Sequence, residues 1–312
     1  MWGHFLLEVG IIGDGWHSKR IQKILKKKNI KFLVYKPNNK KYFDKQKFTK
    51  LQKLNKIFIV SPNKSHLHYI KLLYKGRYIF CEKPPVSNES EIKKLRNINP
   101  NKIFFNYNYR FSQISAILRE REKLKLGKLI YANLISGQAF AKKNDYQKNW
   151  RSNKKKCPTG VFEMKSVHLI DLINYHFDIK HISEPILLNQ SKKGTSPDTS
   201  HIKILTKNKA SIDIFSSYFV PMIRKQIFIF DNGLIEQNDK NITIYGPALN
   251  QNKRGLIIKP KIIKKYFISE KKDYDISMKK SISYFLQIAK KRGSFLKKDY
   301  LNSLKSNSLI FK

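Results

Sequence analysis

Lys83 is the residue in this sequence best placed to do chemistry. It follows Glu82 at the end of the apolar run 78–81 and is closed off by Pro84 and Pro85, so the ammonium is fixed at a strand end. A cation held there stabilises the oxyanion that develops as a hydroxyl loses its proton, and a desolvated lysine exchanges protons near neutral pH. His168 and Asp171 form a second constellation. They sit three apart in VFEMKSVHLIDLINYHF and share one face of a predicted helix. An imidazole titrates near neutrality and is a natural acid/base partner for the lysine. Asp171 would orient that ring or bind a substrate hydroxyl. A histidine on such a helix is also an ordinary core residue, and residue type alone leaves both readings open. His176, further along the helix, reads as structural.

A third group of residues offers a cradle for phosphate. The opening VGIIGDGWHSKR places Gly13 and Gly15 between an apolar strand and a helix. Gly13 permits the tight turn, and Gly15 lets backbone N–H groups approach a pyrophosphate at the helix N-terminus, with Trp16 beside it. Ser18 takes the third, small position of the dinucleotide pattern. A glycine turn in any α/β protein has the same look, and its place after the first strand is what gives it weight. The second strand ends in Lys36 where a carboxylate would bind the ribose of NAD. A cation there suits the 2′-phosphate of NADP, although it also reads as one more surface lysine.

These residues need a scaffold. Apolar runs at 5–12, 31–35, 56–60, 77–81 and 102–106 alternate with helical patterns at 18–28, through Leu67, Ile70 and Leu73, and from Ser87 to near Pro100, and Pro37-Asn38-Asn39 closes the second strand as a turn. The alternation predicts an α/β domain, a doubly wound parallel sheet of the Rossmann type over residues 1–112. Beyond 113 the rhythm changes. A helix at 113–124, a strand at 129–136 and a helix at 162–175 precede a run of short strands between 186 and 267, with Asp231-Asn232-Gly233 as a hairpin turn. Residues 113–312 therefore read as an α+β domain with a large, open, mostly antiparallel sheet, serving substrate binding and oligomerisation, and ending in helices at 276–290 and from 300 onward.

Taken together, the glycine turn, SPNKSHLHY, FCEKPP and NYNYRF resemble the Gfo/Idh/MocA family of glucose–fructose oxidoreductase and inositol dehydrogenase relatives. The resemblance runs over nearly the whole chain, through a Trp-Arg before a glycine and a His-x-x-Asp helix. It implies an NAD(P)-dependent oxidoreductase that moves a hydride between nicotinamide and a sugar or nucleotide-sugar carbon, without a metal. Surface-polysaccharide biosynthesis is a context it suggests. Ser61, Pro62, Asn63 and His66 would border the cofactor, with Glu82, Asn108, Trp150 and Arg151. Lys83 would reach both nicotinamide and sugar. Arg110, Lys165, His168 and Asp171 would face the substrate, with Lys83 and His168 catalytic. Relatives are commonly dimers or tetramers, so a homo-oligomer is expected. The chain departs from the pattern at Met164, where the family usually has Asp, and at Thr159-Gly160, where it has a glycine pair. Those departures put the substrate in doubt and keep an alternative alive, a catalytically impaired NAD(P)-binding protein of the same fold.

Composition bounds the rest. At 312 residues with 41% apolar side chains, the chain can build two cores. Two cysteines, Cys81 and Cys157, make neither a disulfide framework nor a zinc site. No apolar run is long enough to span a bilayer, and the apolar opening carries no basic leader, so a cytoplasmic protein with no membrane partner is expected. The 64 Lys and Arg against 22 Asp and Glu give a net charge of +42. Such a field attracts polyanions. The basic residues are nevertheless spread from Lys19 to Lys312 among abundant Asn, Ile, Phe and Tyr, as codon bias on solvated faces would leave them, and no specific nucleic-acid partner is expected.

Overall fold

Short β-branched and aromatic runs become the strands of the first unit. In the computed structural model, which describes residues 8–37, 44–247 and 251–311, these are β1 (Val9–Ile12), β2 (Phe32–Tyr35), β3 (Lys56–Ile59), β4 (Tyr78–Glu82) and β5 (Ile103–Asn106). All pair in parallel in the order β2-β1-β3-β4-β5, as a Rossmann-type sheet does. The helices α1 (Trp16–Lys26), α2 (Lys45–Gln52), α3 (His66–Leu73) and α4 (Glu89–Arg96) fall between successive strands. α2 went unmarked in the sequence because only Phe48 and Leu51 of its eight residues are buried; Asp44 caps it by accepting from the Lys47 N–H. Residues 5–7 of the expected first strand, and Asn38 and Asn39 of the expected turn, lie outside the described residues.

The chain divides into two compact units, residues 1–107 with 279–311, and residues 108–278. The sequence suggested one boundary near 112. Instead the C-terminal segment returns to the first unit, and its aromatic side chains explain why. Phe285 of α7 (Glu270–Lys290) is fully buried, 5.1 Å from the Phe58 ring and 5.5 Å from that of Phe80. In α8 (Lys297–Ser308), Tyr300 lies 5.3 Å from Phe105, and Asn307 Oδ1 accepts from the Val86 N–H. Without this segment, the rings on β3, β4 and β5 would lose their cover.

The second unit is built on a nine-stranded, mostly antiparallel sheet. Its strands are β6 (Leu129–Gly137), β7 (Ile179–Ile182), β8 (Ile186–Leu188), β9 (Thr199–Thr206), β10 (Ser211–Ser217), β11 (Ile223–Phe230), β12 (Gly233–Gln237), β13 (Asn241–Tyr245) and β14 (Ile262–Phe267). They run in the order β14-β13-β12-β11-β6-β10-β9-β7, with β8 also on β9, and β6 with β10 is the parallel pair. Strict alternation sets the faces. On β11, Arg224, Gln226, Phe228 and Phe230 are buried while their neighbours are not. The helices are α5 (Gln113–Arg119) and α6 (Val167–His176), and a π-helical turn, Phe162–Ser166, precedes α6.

Candidate functional site

The first unit gathers the residues expected around a cofactor. Gly13 has φ +111°, and a Cβ there would stand 2.5 Å from the Val60 carbonyl oxygen, so glycine is required for the turn to pass under β3. Ser18 is fully buried and closes the same turn by donating from Oγ to the Gly13 carbonyl at 2.8 Å. That bond explains a small hydroxyl residue where the pattern prefers glycine. Gly15 occupies the N-cap of α1 with open space around it, no side chain caps the helix, and its first turn holds no acidic residue. The free N–H ends and the helix dipole therefore point at solvent-accessible space, as an anion site requires. Trp16 is 72% exposed, with the Arg20 guanidinium 4.2 Å from its ring centre, and Lys36 is exposed just past β2.

Lys83 stands directly after β4, partly exposed, beside the buried carboxylate of Glu82. Glu82 Oε1 accepts from His17 Nε2 at 2.9 Å and from Asn106 Nδ2 at 2.7 Å. Asn106 Oδ1 in turn accepts from Ser281 Oγ at 2.5 Å. Burial pushes the Glu82 carboxyl up, but His17, Asn106 and the neighbouring Lys83 outweigh it, and the net direction is below the usual carboxylate range. An ionised Glu82 fixes the backbone that carries Lys83 and links the phosphate-turn helix to β4 through His17. His17 went unmarked in the sequence, although its place in the first turn of α1, directly after the glycine turn, was the available signal.

His66, expected at the cofactor's edge, is an interior tie. Its ring is fully buried, with Nδ1 2.9 Å from the Pro84 carbonyl and Nε2 2.9 Å from the Ser61 carbonyl. Two carbonyl acceptors favour a doubly protonated ring, yet burial outweighs them and lowers its pKa. The neutral ring donates to one of the two. The ring lies between the loop after β3 and the loop after Lys83, which carry those two carbonyls. Ser61 is buried and paired with Ser65 Oγ at 2.7 Å, whereas Pro62 is exposed and Asn63 partly so.

In the second unit, α6 and the π-turn present Lys165, His168 and Asp171. Gly160, at φ +55°, begins this segment where an added Cβ would collide with the Pro197 carbonyl. Met164, at the position of the usual carboxylate, packs with Ala141, Tyr146, Val161 and Tyr218 in an apolar cluster. Lys165 and His168 are both partly exposed. Burial pushes the Lys165 ammonium down to about 8; Glu270 opposes this and Arg224 reinforces it. The His168 ring stacks on Tyr109 at 4.8 Å, and the Arg224 guanidinium carbon lies 4.7 Å from the same Tyr109 ring.

Asp171 is wholly buried and holds Arg110 by two bonds, Nε to Oδ2 at 2.9 Å and Nη2 to Oδ1 at 2.6 Å. This fork locks α6 to the turn 108–111. Asn108 is buried as well and donates to Ser277 Oγ at 2.8 Å. Trp150 and Arg151 form a half-exposed stack, with the guanidinium 4.5 Å from the indole. His176, read as structural, contacts Ser115 Oγ at 2.8 Å, and burial with the charges of Arg119, Arg121 and Arg110 brings it down to about 3.

Sequence reasoning passed over the inward face of the large sheet. Register aligns Ser200, Ser216, Ser136 and Arg224 in one row across β9, β10, β6 and β11, all buried. Gln226 and Gln237 are paired in the next row. The π-turn packs against β9 and β10 here, and Ser166 Oγ meets Ser200 Oγ at 2.9 Å. The amide of Gln226, the Ser216 hydroxyl and the three guanidinium nitrogens of Arg224 have no hydrogen-bond partner among the described residues; Arg224 Nη1 stands 3.7 Å from Asp273 Oδ2. Elsewhere on this face the rows are apolar, as in Ile204, Ile212, Ala132 and Phe228. The available signal was phase: Phe228 and Phe230 point inward, and counting back by two reaches Gln226 and Arg224.

No protein-family model matches the chain, and no curated protein matches it in sequence. Solved structures do. A levoglucosan dehydrogenase in complex with NADH and levoglucosan superposes with a TM-score of 0.77 at 16% identity, over 97% of this chain and 95% of the other. A myo-inositol dehydrogenase from Corynebacterium glutamicum gives 0.71 at 14% identity, over 98% and 95%. An oxidoreductase from Agrobacterium radiobacter in complex with NAD+, L-tartaric acid and magnesium gives 0.72 at 13% identity, over 97% and 94%. The chain shares the fold of these oxidoreductases over nearly its whole length. Among the described residues no cluster of metal-ligating side chains occurs, and no helix is long and apolar enough to cross a membrane.

Proposed function

We propose that this chain is an NAD(P)-dependent oxidoreductase that transfers a hydride between nicotinamide and a carbon of a sugar or nucleotide-linked sugar. The observation that carries this reading is Glu82-Lys83-Pro84 at the end of β4, in a fold shared over 97% of the chain with a dehydrogenase described with NADH and levoglucosan. The uncapped N-terminus of α1 and the open space at Gly15 suit a pyrophosphate, and exposed Lys36 suits a 2′-phosphate, favouring NADP. Nicotinamide, when bound, supplies the hydride acceptor or donor. Lys83 steadies the oxyanion on the reacting carbon, held in register by the His17–Glu82–Asn106 network. His168 takes or returns the hydroxyl proton, its ring set by the stack on Tyr109. The serine row with Arg224 and Gln226 offers hydroxyl and amide partners that a polyhydroxylated substrate needs and an apolar one does not. Arg110 and Asp171 serve this reading as scaffold rather than substrate contacts, because each occupies the other's polar edge. We assign the half-exposed outer face of the sheet, with Phe215, Ile135 and Ile227, to a second copy of the chain.

A second reading, cofactor binding without turnover, is favoured by Met164 in its apolar cluster. One titration followed by one screen separates the two. Quenching or enhancement of NADPH and NADH fluorescence reports binding and coenzyme preference. A panel of sugars, sugar acids and nucleotide sugars then reports turnover. Oxidation or reduction of cofactor by any member supports the enzyme; tight binding with no turnover across the panel supports the binder, and no binding overturns both.

A further inference from the structure

Arg110 and Arg224 are both buried in the second unit, but their hydrogen bonding differs. Arg110 forks onto Asp171 at 2.6 and 2.9 Å. Arg224, 2% exposed on β11, reaches no hydrogen-bond acceptor with any guanidinium nitrogen among the described residues. Its facing acid, Asp273, stands 3.7 Å away, outside hydrogen-bond reach, and Asp273 Oδ1 already accepts from the Gln113 N–H at 2.8 Å. A buried pair that serves only to hold the fold closes as Arg110 and Asp171 do, because a buried donor left without an acceptor is costly.

A second cation lies within reach of this charge. Lys165, on the π-turn, makes no hydrogen bond or ion pair among the described residues. The positive charge of Arg224 acts on it, and Glu270 opposes from outside ion-pair distance. Tyr109 joins Arg224 to the α6 segment, with the guanidinium carbon 4.7 Å and the His168 ring 4.8 Å from its ring centre. Lys165 precedes His168 by three residues, and both are partly exposed. Gln226, two residues along β11 on the same face as Arg224, has an amide without a partner among the described residues, as does the Ser216 hydroxyl. The lysine excess of the chain does not account for this arrangement, because solvated faces carry such an excess and Arg224 occupies the inward phase of its strand.

We propose that Lys165 and Arg224 together bind a carboxylate of the substrate, so that the substrate is a sugar acid rather than a neutral sugar. The sugar part rests on the oxidoreductase reading above, and the acid part on these two side chains. Lys165, in partial contact with solvent, meets the carboxylate from the open side. Arg224 receives it from beneath, where a planar guanidinium matches two carboxylate oxygens with parallel N–H bonds. The Gln226 amide and the Ser216 hydroxyl are left for the hydroxyl groups. A carboxylate in this place supplies the acceptor that both cations lack and relieves the repulsion between them. A neutral sugar leaves both uncompensated. A phosphate ester shares the anionic chemistry, and the experiment separates it from the carboxylate.

Calorimetric titration of the full chain with NADP present tests this without requiring turnover. Glucuronate or galacturonate should bind at least about tenfold more tightly than glucose or galactose, and more tightly than the corresponding sugar phosphate. Lys165→Gln should erase most of that preference. Arg224→Lys, which keeps the charge and loses the fork, should reduce it as well; Lys165→Gln, at a partly exposed position, covers any dependence of folding on Arg224. Lys93→Gln on α4 removes a cation elsewhere and should leave the preference as in the native chain. Equal affinity for an acid and its neutral parent, or a preference that survives in Lys165→Gln, would overturn the proposal. Tighter binding of the sugar phosphate would overturn the carboxylate in favour of a phosphate. Turnover of neutral sugars without binding of the acids would overturn the proposal and leave the oxidoreductase reading standing. Binding of the acids, lost in Lys165→Gln, without any hydride transfer would support the proposal and count against that reading.

Discussion

A buried carboxylate wrapped by a guanidinium fork is costly to half-remove. Arg110 and Asp171 are both buried, so Asp171→Asn strands a cation against a neutral amide at the middle of α6. The expected loss is about 3–5 kcal/mol of unfolding free energy, read by denaturant titration. A loss below about 1 kcal/mol, the level of exposed pairs, would show that the fork does not hold α6. Lys165 carries a different signature. Its folded value near 8 lies below its ordinary 10.5, so between those pH values the native chain has released a proton that the unfolded chain still binds. Stability therefore rises with pH across that window, and the burial cost is fully present below it. Compared with the native chain, Lys165→Met should be more stable at neutral pH, and the difference should shrink as pH is raised from 8 toward 10.5. An unchanged difference across that range would place the ammonium in water.

At the scale of elements, the glycine turn is the most constrained piece of backbone in the first unit. Gly13→Ala puts a methyl against the Val60 carbonyl in a region of φ that alanine avoids. It should cost about 1–3 kcal/mol in stability and weaken nicotinamide cofactor binding by at least roughly tenfold; unchanged affinity in a folded variant would separate the turn from the cofactor. This turn was legible in the sequence because glycine announces a backbone need directly. So were β1 to β5, whose apolar runs are short, punctuated and evenly spaced. What escaped notice had weaker local signals. α2 buries only two side chains, so its periodicity is faint. The π-turn at 162–166 looks like ordinary helix, since one extra residue per turn leaves no mark in composition. Arg224 and Gln226 sit on the inward phase of β11 but are of types that normally face water, and only the strand's two phenylalanines reveal the phase. The two carbonyl contacts of His66 left no local mark either, because they come from loops brought together only by the sheet.

Across the whole molecule, the return of the C-terminal helices to the first unit was the least legible feature, because nothing in the sequence of 279–311 names its partner. The aromatic contacts do. Phe285→Ala should destabilise the first unit by about 3–5 kcal/mol, the cost of emptying a fully buried phenylalanine site against Phe58 and Phe80. Cofactor binding should protect against part of that loss, since a ligand bound by the folded unit alone adds its own free energy. A variant as stable as the native chain would mean that the segment merely lies on the surface. The central claim, hydride transfer dependent on Lys83, is tested most directly by following nicotinamide absorbance in native and Lys83→Met protein. The cofactor and the sugar panel should be the same for both. Native protein is expected to turn over at least one sugar, and Lys83→Met to bind cofactor within about threefold of native while its rate falls by at least roughly a thousandfold. Full turnover by Lys83→Met would contradict the role given to this lysine, and with it the site built around Glu82.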